Sequence, residues 1–134
     1  MHHLIAIAYA AAAVVFLGLD FVWLGLVARS TYRSWIGELM RDEINLTAAV
    51  LFYLVYVVGL VFFAVGPALK GGSWQTAAVY GGLFGFFAYG TYELTNFATL
   101  KDWPIAMVVV DMAWGTALSA IAATAGFAAA RQFG

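Results

Sequence analysis

Apolar residues run almost unbroken through four stretches of the chain, at about 4–27, 44–66, 75–97 and 104–128. Each is long enough for a helix to cross a hydrocarbon core, which takes about 20 residues. The pattern predicts an all-α protein, an integral membrane bundle of four transmembrane helices forming one domain over residues 1–134. The first stretch, LIAIAYAAAAVVFLGLDFVWLGLV, is too long for the apolar part of a signal peptide and has no basic segment before it, so it reads as a retained span. The second is expected to stop at Gly66-Pro67, because proline cannot continue the hydrogen-bond ladder. The third is expected to begin after Gly71-Gly72-Ser73, and the fourth to open with Asp102 as cap and Pro104 in its first turn.

Between the first two spans lies ARSTYRSWIGELMRDE, residues 28–43, where Tyr32, Trp35, Ile36, Leu39 and Met40 recur at helical spacing and Arg33, Ser34, Glu38 and Arg41 fall elsewhere. That pattern suits a short interfacial helix in the headgroup plane. The connectors 28–43 and 98–103 hold Arg29, Arg33, Arg41 and Lys101, against Lys70 and Arg131 on the opposite face. The positive-inside rule then makes the first face cytoplasmic and puts both termini in the periplasm.

Composition narrows the chemistry. The chain is 65% hydrophobic and 10% charged, with six Lys and Arg against seven Asp and Glu, so no basic excess is present to meet a nucleic acid. Without cysteine there is no thiolate metal site, iron–sulfur cluster, disulfide or cysteine nucleophile. The only histidines, His2 and His3, stand at the N-terminus, far from the other polar residues. With no phosphate loop, nucleophile elbow or Glu-x-x-His pair, neither a cofactor nor a metal is expected. Gly81-x-x-x-Gly85 permits close approach of two helices, which packing inside the bundle explains and which leaves a homodimer open.

Three acids fall inside the spans: Asp20, Glu93 and Asp111. A charge at membrane depth costs a few kcal/mol or more, so it faces the bundle interior and marks a site. Asp20 lies seven residues before the end of the first span and Asp111 seven after the start of the fourth, which puts both about 10 Å below the same face. Glu93, near the end of the third span, shares that slab. Asn45 enters it at the start of the second span, and Asn96 follows Glu93 by three residues. Tyr89 and Tyr92 extend the same side inward. Trp23 follows Asp20 by three, and Trp114 follows Asp111 by three, so each acid shares a helix face with an indole able to donate an N–H bond. Neutralisation could come from Arg29, Arg33 and Lys101 reaching inward, from protonation, or from a bound cation.

The segments LDFVWLGL at the end of the first span, YELTNFATLKDWP between the third and fourth, and VVVDMAWGTAL in the fourth together resemble the bacterial domain-of-unknown-function family 2177, small four-span inner-membrane proteins. The likeness covers nearly the whole chain. It implies a bacterial inner-membrane location and groups Asp20, Trp23, Glu93, Asn96, Asp102, Trp103, Pro104, Asp111 and Trp114 as candidate positions. It implies no activity, cofactor or substrate.

Two kinds of function follow. In the first, a cytoplasmic-side pocket of Asp20, Trp23, Tyr89, Glu93, Asn96, Asp111 and Trp114 binds or passes a small polar or cationic ligand, since aromatic faces beside carboxylates suit a cation. In the second, the chain is a membrane-embedded enzyme, or an accessory subunit, acting in lipid modification, with a carboxylate as general acid or base at headgroup depth.

Overall fold

A computed structural model describes residues 2–134, and these are helical with no strand among them. Helix α1 (His2–Val22) continues as a π-helical turn, Trp23–Val27; α2 (Arg29–Ile36) ends in one 3₁₀ turn, Gly37–Leu39. Helix α3 (Leu46–Leu60) passes through a second π turn, Val61–Val65, into α4 (Gly66–Leu69), and α5 (Trp74–Thr99) and α6 (Ile105–Phe133) complete the chain. Three helical segments are long and apolar enough to cross a membrane: His2–Leu26, Leu46–Leu69 and Ile105–Phe133. Helix α5 has the length, at 26 residues, but carries Gln75, Thr76, Thr91, Glu93, Thr95 and Asn96 among its apolar positions.

The buried residues follow i, i+4 rows, the ridges by which helices interlock. On α1 the row is Ala8, Ala12, Phe16 and Asp20, all buried. On α5 it is Ala77, Gly81, Gly85 and Glu93, with half-buried Tyr89 between the last two. On α6 it is Met107, Gly115, Ser119, Ala123 and Phe127, with Asp111 at the second position. Small residues in the rows let the backbones come close. A Cβ at Gly81 would stand 2.6 Å from the Ala123 side chain, and one at Gly85 would stand 2.7 Å from the Ser119 Cβ. The Gly81-x-x-x-Gly85 pair therefore serves the α5–α6 contact within the chain. The α1 row meets Leu118, Ala122 and Ala130 of α6 and Val57, Leu60 and Ala64 of the second helical segment in one core. Val14, Phe21, Leu26, Val55, Phe62 and Phe87 remain exposed, an apolar exterior that suits lipid.

Four expectations change. The second segment does not stop at Gly66-Pro67. Its helical path runs on to Leu69, with Pro67 in the first turn of α4, where a missing N–H is tolerated. The π turn just before it shifts the pairing, and the Gly66 N–H reaches back to the Val61 carbonyl. Asp102 does not cap α6: it sits in a left-handed turn at φ 59°, and Pro104 takes the capping position. Asn45 is not part of an interior polar layer; it is the N-cap of α3, its side chain accepting the Ala48 N–H at 3.1 Å. Within residues 28–43 only Arg29–Ile36 is α-helical, and Leu39 and Met40 lie past it, exposed. The face of α2 formed by Tyr32, Trp35 and Ile36 packs on Trp103, Met107 and Val108 at the start of α6.

Candidate functional site

Asp20 and Glu93 occupy the last interior positions of their rows and Asp111 the last but one, ahead of Met107, so the rows bring the three together at the end of the bundle covered by α2. The two carboxyl oxygens of Asp20 accept from different helices, Oδ1 from the Trp114 indole of α6 at 3.1 Å and Oδ2 from the Tyr53 hydroxyl of α3. Glu93, 1% exposed, accepts the Trp103 indole N–H at 2.9 Å on Oε1. Asp111 accepts the Tyr32 hydroxyl at 3.1 Å, and that hydroxyl in turn accepts the Trp23 indole N–H at 3.2 Å. The Trp23 and Trp114 rings stack at 4.5 Å and 11°. Glu93 and Asp111 are close enough for their carboxyl groups to interact directly. Every buried side-chain polar atom among the described residues has a partner.

The donors to the three carboxyl groups are neutral. Arginine and lysine contribute none of these bonds among the described residues, and Arg29, Arg33 and Lys101 are exposed. Burial, reinforced by Asp111, holds the Tyr32 phenol above its ordinary range, so it stays protonated and donating. The expected pairing of each acid with the indole three residues on is not found. Trp114 serves Asp20 on the opposite helix, and Trp23 reaches Asp111 only through Tyr32. An indole at i+3 lies beside its own helix's carboxylate, whereas one on a facing helix can aim its N–H at it.

These groups surround a cavity of about 340 Å³. Asp20, Trp23, Tyr89, Glu93, Asp111 and Trp114 line it. Asn96 does not: it is half-buried one turn beyond Glu93, off the i, i+4 row, and its carbonyl takes the Leu100 N–H at 2.8 Å where α5 ends. Tyr89 fits over Gly115, where any Cβ would strike its ring. Tyr32, Tyr53, Tyr92 and Met107 also line the cavity without a place among the expected ligand-binding residues. Tyr53 had a usable signal, since it and Tyr56 carry nearly all the side-chain polarity of α3, and a buried hydroxyl seeks a partner. Tyr32 reads from periodicity only as part of an apolar face. Among the described residues no three His, Cys, Asp or Glu side chains are grouped to hold a metal ion. What the arrangement offers is negative charge framed by ring faces.

Comparison with curated proteins and with solved structures gives no match. A family model described as a predicted membrane protein (DUF2177) matches residues 5–128, nearly the full length, and the chain belongs to that family of membrane proteins.

Proposed function

We propose that the chain is a single four-span domain of the bacterial inner membrane whose acidic, aromatic cavity binds a small organic cation of the ammonium class. One observation carries this reading: three carboxyl groups share one buried end of the bundle, and the partners that donate to them are indoles and phenols, with no Arg or Lys among them. Neutral donors satisfy lone pairs and leave the charge uncompensated. A cation supplies what is missing, and the stacked Trp23–Trp114 pair with Tyr89 adds the attraction of ring faces for positive charge. The cavity, at about 340 Å³, is near the lower end of small-molecule sites, which begin at about 300 Å³.

Helix α5 is the fourth span in this reading. Its polar Glu93 points inward, while Val79, Leu83, Phe86, Phe87, Leu94 and Phe97 are exposed toward lipid. The end bearing α2 is cytoplasmic, by the excess of Arg and Lys there, and the termini are periplasmic. Helix α2 lies at the membrane surface with its apolar face on the bundle.

Equilibrium dialysis of the purified protein with radiolabelled tetramethylammonium at about pH 8 tests the reading. Saturable binding is expected, weakened about tenfold or more in Asp20→Asn and in Asp111→Asn, each of which removes one charge and keeps the side chain's shape. Absence of saturable binding, or equal binding by parent and both variants, overturns it.

A further inference from the structure

Helix α5 meets the second helical segment chiefly through the π turn Val61–Val65, at the end away from the acids. There the Phe84 ring is wedged between Tyr56 and Phe63, with centroids 5.0 and 5.8 Å away. Toward the acids α3 and α5 part, and between them lies a second hollow of about 370 Å³, lined by Phe52, Ala88, Tyr89, Tyr92 and Asp111. All but Ala88 also line the first cavity, so the two spaces adjoin across these side chains. The outer edge is formed by Phe52 and Tyr92, 52% and 55% exposed, amid an apolar exterior that includes Val55 and Phe87. The axial end is covered differently: Tyr32 and Ile36 of α2 lie over the cavity there. The second hollow thus stands between the acids and the hydrocarbon layer.

Resting on the cation reading above, we propose that the ligand is a cationic amphiphile: its ammonium group sits among Asp20, Glu93 and Asp111, and its alkyl chain leaves between Phe52 and Tyr92 into the bilayer. The hollow selects against a phospholipid. No Arg or Lys lines either space, so a phosphate beside the ammonium would meet carboxylates and no counter-charge. Beyond Asp111, the chain of a simple alkylamine meets Phe52, Ala88 and the Tyr89 and Tyr92 rings along this path.

The test compares tetramethylammonium with dodecyltrimethylammonium, using the protein and its Ala88→Trp variant in nanodiscs of phosphatidylglycerol, a lipid with no ammonium group. An indole at position 88 fills the lateral hollow and leaves the acids in place. In the parent the dodecyl cation should bind about tenfold or more tightly than the small one. In Ala88→Trp that advantage should vanish while tetramethylammonium keeps its parent affinity. An equal advantage in both proteins reflects partition into the disc and overturns the lateral path, with the cation site intact. Loss of tetramethylammonium binding in the variant signals misfolding, and Ala88→Leu, with a smaller side chain, is then held to the same criterion. Failure of the parent to bind tetramethylammonium defeats the cation reading itself. Phosphatidylethanolamine added to the discs should not compete with the dodecyl cation, and competition by it overturns the exclusion of phosphate.

Discussion

At the scale of single residues, the site is a set of acids held by donors on other elements. Trp114→Phe keeps an aromatic ring against Trp23 but removes the N–H that reaches Asp20. A buried acceptor short of a partner costs about 1–3 kcal/mol, so this variant should melt at lower temperature than the parent in the same detergent, whereas loss of ring area alone would give a smaller change. Tyr32 adds a pH dependence with a definite sign. Its phenol is held above the ordinary value by burial and then by Asp111, so the folded state favours the neutral form. The stability this contributes is complete below the unfolded value of about 10 and falls as pH rises from there toward the raised folded value. A series of melts above about pH 10 should show the parent losing stability faster than Tyr32→Phe, which has no proton to release. Parallel curves would mean that Tyr32 is freely solvated. The acids are legible in the sequence as residues because charge is rare in such apolar company. Their donors are not, because Trp114 and Asp20 are 94 positions apart and only the packing of α1 on α6 brings them together.

At the scale of elements, the helices are plain in the sequence and their joints are not. Long apolar runs locate α1, α3, α5 and α6, with ends displaced by up to about six residues. The π turns Trp23–Val27 and Val61–Val65 have no periodic signature, so Gly66-Pro67 reads as a stop when it is a continuation. Trp23, which stacks in the site, belongs to the first of these turns, an example of the extra residue of a π turn placing a side chain where it is used. The spacing of small residues carries more than a dimer motif: Ala8-Ala12-Phe16 and Ala77-Gly81-Gly85 are rows that point straight at Asp20 and Glu93. Neighbouring glycines on α5 separate packing from propensity. A Cβ at Gly85 would crowd Ser119 and the Gly115 carbonyl, whereas one at Gly82 would meet Ala120 and Thr116 at an ordinary 3.7 Å. Gly85→Ala should therefore destabilise by about 1–3 kcal/mol. Gly82→Ala should be neutral or stabilising by up to about 1 kcal/mol, the helix preference of alanine over glycine. Thermal melts of the two variants decide it, and similar shifts would mean that α5 and α6 are not in the close contact described.

At the scale of the whole molecule, the fold sorts charge and polarity between the two ends. The end carrying α2 and the short α5–α6 connection holds Arg29, Arg33, Arg41 and Lys101 outside and the three acids within, while the other end has the Gly71-Gly72 turn and both termini. In the four-span reading proposed above, these two ends lie on opposite sides of the bilayer. If α5 instead lay along the surface, its buried row would have to leave α6, and Glu93 would lose both the Trp103 bond and its neighbour Asp111. The absence of native cysteine makes the question direct, because a single introduced thiol is the only one present. Ser34→Cys in α2 and Gly72→Cys in the turn before α5 both replace residues outside the long helices. In oriented membrane vesicles an impermeant maleimide should label one of them from outside and the other only after the membrane is opened, with position 34 on the cytoplasmic side. Labelling of both from the same side would remove the fourth span, and with it the compartment in which the acids are shielded from water.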